Sequence, residues 1–339
     1  MKIGILSPLA WRTPPLKYGP WEQVTSNIAE GLVKKGIDVT LFATGNSRTN
    51  AKLKYVSQTA YSEDKSLDPK VWECLHISNI MEHASDFDII HNNYDFLPLT
   101  YSRLIKTPIV TTIHGFSSKK IIPVYKKYNS NTFYVSISNS DRSPELDYIA
   151  TVYNGINTND FTYNPSPEDY LLFFGRIHPE KGTLESIEIA KKSGRRLIIS
   201  GLIQDQVYFE EKIKPHINNK EIVYVGNSGP KERDKLIGNA YALLHPIHFD
   251  EPFGLSVAES MMCGTPVVAF NRGSMPELIK PGKTGFLVNT IDEAARSMNK
   301  INTINRQHCR EWALNEFSLE KMVNGYIAVY EQIKRIKNN

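Results

Sequence analysis

Two glutamates stand eight positions apart in Asp250-Glu251-Pro252-Phe253-Gly254-Leu255-Ser256-Val257-Ala258-Glu259. The apolar run Tyr241–Leu244 before them reads as a buried strand, and Ser256 onward as the first turn of a helix. Glu251 then falls in a strand-to-helix loop and Glu259 near the helix start. A helix start offers open backbone N–H groups and a positive dipole end to an anion. Two flanking carboxylates accept hydrogens from hydroxyl groups. Such a stretch suits a ligand that carries phosphates and sugars together.

A second set of charges stands upstream, in Gly175-Arg176-Ile177-His178-Pro179-Glu180-Lys181-Gly182. Arginine presents a planar fork of donors and lysine a compact charge, a combination that matches diphosphate oxygens. An isolated pair at this spacing is ordinarily a solvated surface pair; the flanking glycines and the strand-loop-helix setting favour phosphate binding. Gly19, in Tyr18-Gly19-Pro20-Trp21-Glu22, sits where a backbone can approach a phosphate. A surface turn is the plain alternative, and Pro20 removes one backbone donor. His114 ends the strand-like Ile109–Ile113 and precedes Gly115; a lone histidine is as readily structural. Asp86-Phe87-Asp88 precedes its strand and reads as turn chemistry rather than a metal site. His245 and His248 lack a third ligand in sequence, so they carry little weight for zinc.

The elements that position these residues form two series. Ile3–Leu6, Val39–Phe42, Asp88–His91, Ile109–Ile113 and Phe133–Ile137 read as strands, with helical spacing in Trp21–Lys35 and Val71–Ala84. Asn159–Tyr170, with two prolines, reads as a linker. Alternation then resumes at Leu171–Phe174, Arg196–Ser200, Ile222–Val225, Tyr241–Leu244 and Val267–Phe270. Two such series predict an α/β chain of two Rossmann-like, doubly wound parallel-sheet domains facing across a cleft. The expected division is 1–162, 163–318 and a C-terminal helix, 319–339, packing back on the first domain. Ligands of parallel sheets bind beyond the carboxyl ends of the strands, and Gly19, His114, Arg176, Lys181 and Glu251 all follow such ends.

Composition narrows the class. The 339 residues carry a formal charge of +4 with both signs dispersed, too little to argue for nucleic acid. Cys74, Cys263 and Cys309 form no C-x-x-C, and no run is long enough to span a bilayer. Met1–Leu6 is too short for a signal h-region. A cytoplasmic setting is expected. The basic residues Lys119, Lys120, Lys126 and Lys127 leave open a peripheral contact with the inner face of a membrane. G-x-G-x-x-G is absent after the first strand, which argues against a nicotinamide enzyme.

Taken together, these stretches resemble the retaining nucleotide-sugar glycosyltransferases of glycosyltransferase family 4, which have the GT-B fold. The likeness extends through Thr112-Ile113-His114-Gly115, Ser138-Asn139-Ser140, Asn154-Gly155-Ile156, Gly264-Thr265-Pro266-Val267-Val268-Ala269, Pro276-Glu277-Leu278 and Gly282–Val288. The resemblance implies that Arg176 and Lys181 neutralise the donor diphosphate and that Glu259 accepts from the ribose. It implies that Glu251 and His114 are the catalytic-centre residues that hold the transferred sugar. Backbone groups at Gly254, Leu255 and Ser256 would meet phosphate or sugar oxygens, and Gly19 would approach the phosphates. Pro20-Trp21 departs from the family, where a second glycine is common.

The function so implied is retaining transfer of a hexose from a UDP- or GDP-linked donor to a saccharide, lipid-linked or small-molecule hydroxyl acceptor. The acceptor is expected against Trp11–Trp21, Asn92–Pro98 and Phe116–Lys127. No metal or other cofactor is expected, because cations and a helix end can meet the charge on the leaving diphosphate. The alternatives are a nucleotide-sugar epimerase or hydrolase of the same fold, and a non-catalytic sugar-nucleotide-binding subunit.

Overall fold

The computed structural model describes residues 1–116 and 118–338; Ser117, in the 116–127 loop expected beside the acceptor, lies outside the described residues. The chain divides into two compact units, one formed by Met1–Gly155 with the stretch from Leu319, the other by Ile156–Ser318.

The first unit runs β1 (Lys2–Leu6), α1 (Pro20–Lys34), β2 (Asp38–Phe42), β3 (Lys52–Lys54), α2 (Pro69–Glu82), β4 (Ile89–Asn92), β5 (Ile109–Ile113), α3 (Ile122–Tyr128), β6 (Phe133–Ser136) and β7 (Tyr148–Thr151). Its seven strands are parallel in the order β3-β2-β1-β4-β5-β6-β7. The second unit opens with β8 (Tyr170–Phe174), α4 (Thr183–Ser193), β9 (Arg196–Ser200), α5 (Gln206–Tyr208), β10 (Ile222–Tyr224), α6 (Pro230–Asn239) and β11 (Ala242–His245). It continues through α7 (Leu255–Met262), β12 (Val267–Phe270), α8 (Met275–Leu278), β13 (Gly285–Val288), α9 (Ile291–Ser297) and α10 (Arg306–Phe317). Its six strands, again parallel, lie in the order β10-β9-β8-β11-β12-β13. In each unit the strand order reverses beside the first strand, between β1 and β4 and between β8 and β11. The doubly wound α/β class expected from the alternation is therefore present twice.

Both faces of the second sheet are buried, which explains the near-continuous apolar strands. Leu171, Phe173, Leu197, Ile199, Leu244 and Val268 face one layer of the core with Ile187 and Ala190 of α4. The alternate positions Leu172, Leu243 and Val267 are equally buried. In the first unit, Val24, Ile28 and Leu32 recur at helical spacing on α1 and are buried.

Three strands escape a reading by pattern: β3, β7 and β13. Each pairs with one neighbour only, and β3 is three residues long. The stretch read as a linker, 159–170, belongs to the second unit, whose boundary falls at Ile156 rather than at 163. Ile156 N bonds Phe317 O at 2.7 Å and Thr162 N bonds Asp234 Oδ1 at 2.8 Å, so this segment is fastened to that unit despite its prolines. The Asp88 carboxylate accepts from Lys2 N at 2.7 Å, at the amino ends of β1 and β4.

The final helix, α11 (Leu319–Asn338), returns to the first unit. Tyr326 and Tyr330 are fully buried there. The Tyr330 hydroxyl lies 2.7 Å from His91 Nδ1, His91 Nε2 lies 2.8 Å from Thr112 Oγ1, and Thr112 Oγ1 lies 2.9 Å from the Tyr326 hydroxyl. Burial pushes the His91 imidazole down to about 3, so it is neutral and exchanges one hydrogen with a hydroxyl on each side. Tyr330→Phe strands one buried ring nitrogen. Its expected cost is about 1–3 kcal/mol in urea unfolding, and an unchanged midpoint would show that packing alone holds α11.

Candidate functional site

In the second unit, β8 lies hydrogen-bonded to β11 at the reversal of strand order, so the loops that leave their carboxyl ends are neighbours. The first loop carries Arg176 and Lys181; the second carries His245 to Gly254. They are fastened together on both sides of Lys181. His248 N bonds Glu180 O at 2.8 Å. Gly182 has φ +74°, and a Cβ on it would fall 1.9 Å from Pro246 O, so only glycine lets the backbones meet there. A third loop closes on the second: a Cβ on Gly273 would lie 2.4 Å from Glu251 N, and Ser274 N bonds Glu251 O at 3.0 Å.

This clasp brings Lys181 Nζ to 2.5 Å from Glu251 Oε2, with both side chains 14% exposed. Lys181 Nζ also lies 4.6 Å from the centre of the Phe249 ring. His245 Nε2 approaches the same Glu251 oxygen at 3.7 Å, a charge contact beyond hydrogen-bond reach. Burial alone would raise the Glu251 pKa; the Lys181 ammonium, aided by the His245 imidazole, overrides burial and holds it at about 2. Glu251 is therefore a carboxylate throughout the neutral range. Phe253 is buried against Phe317 at 5.7 Å between ring centres, and its carbonyl accepts from Ser274 Oγ at 2.7 Å, which fixes the turn into α7. α7 starts at Leu255 on Gly254, so the N–H groups of Leu255 and Ser256 have no acceptor within the helix.

Glu259 lies on the buried side of α7, 7% exposed. Its Oε1 is 3.2 Å from Arg233 Nη1, an arginine on α6 that no motif marks. Burial raises the Glu259 pKa, Arg233 opposes that, and Asp160 adds to it. Arg176 bonds the side chain of Gln204, in the loop after β9. Lys181 and Arg176 thus have different partners, and the pair expected to act together is held by separate loops. Gln204, Arg233 and Asp160 carry no motif. Arg233 in particular stands in Pro230-Lys231-Glu232-Arg233-Asp234-Lys235, which has the composition of a solvated helix face.

The remaining candidates, Gly19 and His114, belong to the first unit. Gly19 is the residue before α1 with φ +152°, and Gln23 N bonds its carbonyl at 2.9 Å. His114 follows β5, is buried, and has Nε2 3.0 Å from Asn93 Oδ1; its ring stacks on Trp21 at 5.6 Å. Burial brings its imidazole down to about 3, so His114 is neutral. Nearby on α1, Glu22 accepts from Trp11 N at 3.1 Å, and burial lifts its carboxyl to about 7. Among the described residues no group of three His, Cys, Asp or Glu side chains gathers as a metal site, and no helix is long and apolar enough to cross a membrane.

Two family models match the chain in succession: Glycosyltransferase Family 4 over residues 21–160 and Glycosyl transferases group 1 over residues 157–316. An uncharacterized 41.2 kDa protein in the cps region of Klebsiella pneumoniae is 33% identical over 174 residues, 48% of this chain and 46% of that protein. The chain thus matches about half the length of that relative. An uncharacterized glycosyltransferase of Methanocaldococcus jannaschii is 26% identical, covering 75% of this chain and 78% of its own. Anabaena Alr3699/HepE, solved in complex with UDP-glucose, has a TM-score of 0.74 at 18% identity, over 98% of this chain and 100% of that one. That likeness is one of fold.

The Lys181–Glu251 contact has a pH signature. The Glu251 carboxyl lies near 2 instead of the ordinary 4.5, so its contribution to stability is whole above about pH 4.5 and is lost as pH falls through 2. Glu251→Gln is expected to lower stability near neutrality by up to about 3 kcal/mol and to flatten the loss between pH 5 and 2. Thermal unfolding followed against pH reads both effects; a slope matching wild type would assign the acid loss to other carboxylates.

Proposed function

The chain belongs to the glycosyltransferases of family 4, with the GT-B fold, and from that premise we propose that it moves a hexose from a UDP- or GDP-linked donor to a hydroxyl acceptor, with retention at the anomeric carbon. The observation that carries this reading is the meeting of Lys181 and Glu251 beside the start of α7, at the reversal point of a doubly wound sheet. A cation for phosphate and an ionised acceptor for hydroxyls stand there within one contact of each other.

In this reading Lys181 turns from Glu251 to the donor diphosphate, and Arg176 joins it. The N–H groups at Gly254, Leu255 and Ser256 meet phosphate or sugar oxygens. Glu251, held ionised, accepts from hydroxyls of the transferred sugar. Glu259 accepts from the ribose while Arg233 opposes the rise that burial gives its carboxyl. We assign Gly19 to the phosphates and His114 to the outer hydroxyl of the sugar, the neutral imidazole offering a hydrogen bond without a charge. The departing diphosphate gains negative charge as the glycosidic bond breaks. Cations and helix N–H groups already in place stabilise that charge, and the chemistry then needs no metal ion. The departing phosphate oxygen takes the acceptor proton, so no side chain is assigned as general base. The acceptor is a saccharide, a lipid-linked sugar or a small metabolite, reached in the cytoplasm or at the inner face of a membrane.

A panel of UDP- and GDP-hexoses, screened by thermal shift and then by product formation with and without acceptor, tests the reading as a whole. Transfer is expected to persist in EDTA and to fall by about 100-fold or more in Arg176→Ala/Lys181→Ala, with the fold intact by circular dichroism. Donor consumed at full rate without acceptor would favour an epimerase or hydrolase instead. For the ribose contact, calorimetry on Glu259→Ala is expected to show nucleoside diphosphate affinity reduced by about tenfold. Equal affinity would leave Glu259 as a structural partner of Arg233.

A further inference from the structure

β11 ends on His245, which is 6% exposed and whose Nε2 has no hydrogen-bond partner. A buried polar nitrogen left open costs about 1–3 kcal/mol. The acceptor nearest in charge is Glu251 Oε2 at 3.7 Å, the oxygen that Lys181 Nζ occupies at 2.5 Å. Two groups able to carry positive charge, one from each of two paired strands, therefore converge on one carboxylate oxygen, and only one of them is bonded. Asp250 stands next to Glu251 on the same loop, and three other charged groups nearby are engaged elsewhere. His248 Nε2 lies 2.7 Å from Glu185 Oε1 of α4, His178 Nδ1 lies 3.6 Å from Glu180 Oε2, and Arg272 Nη1 donates to His248 O at 3.4 Å.

A Lys181 ammonium drawn toward a diphosphate holds Glu251 less firmly. When it turns to phosphate, a buried carboxylate loses its partner, and two outcomes restore balance. Glu251 can take a proton, which removes part of its capacity to accept from sugar hydroxyls. Alternatively the imidazole takes one from solvent and closes the present 3.7 Å separation to hydrogen-bond distance. An unpaired carboxylate within about 4–6 Å favours the charged imidazole, and this outcome keeps Glu251 a full acceptor. Resting on the reading of Lys181 as a diphosphate ligand, we propose that His245 is a positioning residue that takes over the charge balance of Glu251 when Lys181 engages the donor. Donor binding then draws one proton from solvent onto His245, and Glu251 stays fixed by an imidazolium as the lysine leaves.

The hand-over is testable in the unliganded protein. Lys181→Met imitates a lysine drawn away, and Lys181→Gln serves if the methionine variant does not fold. The His245 imidazole is followed by NMR against pH, its resonance assigned by its loss in His245→Gln. The titration midpoint is expected to rise by about one pH unit or more over wild type, and to return when Glu251→Gln is added. A midpoint that stays put in the lysine variant overturns the proposal, since Glu251 has then taken the proton itself. This measurement involves no nucleotide, so its failure is distinct from that of the donor reading. That reading falls separately if Lys181→Met binds UDP and GDP as wild type does.

Discussion

Adjacency of β8 and β11 is the constraint on which the site depends. A doubly wound sheet reverses its strand order once, and there two loops leave neighbouring strands with no helix between them. Sequence separation is irrelevant to the result: residues 181 and 251 share a contact because their strands share hydrogen bonds. The backbone then enforces the contact, through the His248–Glu180 bond on one side of Lys181 and the glycine beneath Pro246 on the other. The third loop, pressed on Glu251 N through Gly273, fixes the backbone that carries the carboxylate.

Within this frame the two glutamates of the motif are electrostatically unlike. Both are buried, yet Glu251 is held at about 2 and Glu259 is raised. The difference lies in the neighbours. Glu251 has an ammonium at contact distance and an imidazole behind it. Glu259 faces one guanidinium at 3.2 Å, and Asp160 adds negative charge nearby. A pair of acids eight residues apart is therefore two devices, one held ionised across the neutral range and one whose carboxyl burial raises against the pull of Arg233.

Much of the architecture was legible because buried parallel strands leave a plain apolar signature: β5, β9 and β12 lie where their patterns place them. Edge strands such as β3 and β7 bury less and leave little trace. At the site, Lys181 and Glu251 could be found from glycine-flanked loops after apolar runs, since loop composition reports backbone shape. Their mutual contact could not, because it follows from strand order. Arg233 and Gln204 were invisible for another reason: a charged or amide side chain on a polar helix or loop looks identical whether it faces water or a carboxylate. His245 was discounted as a metal ligand, and its proximity to Glu251 comes from the fold of the loop that joins the two after β11.

The return of α11 carries a consequence for biosynthesis. The hydroxyls of Tyr326 and Tyr330 complete the hydrogen bonding of His91 and Thr112, which lie in the middle of the first sheet. A ribosome releases residues 2–155 long before it reaches 319, so the first unit emerges lacking its closing helix. Until then a histidine and a threonine that end up fully buried must be served by water. The second unit, contiguous in the chain, has no such wait. Vectorial synthesis thus favours completion of the later-made unit first, with the N-terminal sheet sealed only once α11 has left the exit tunnel.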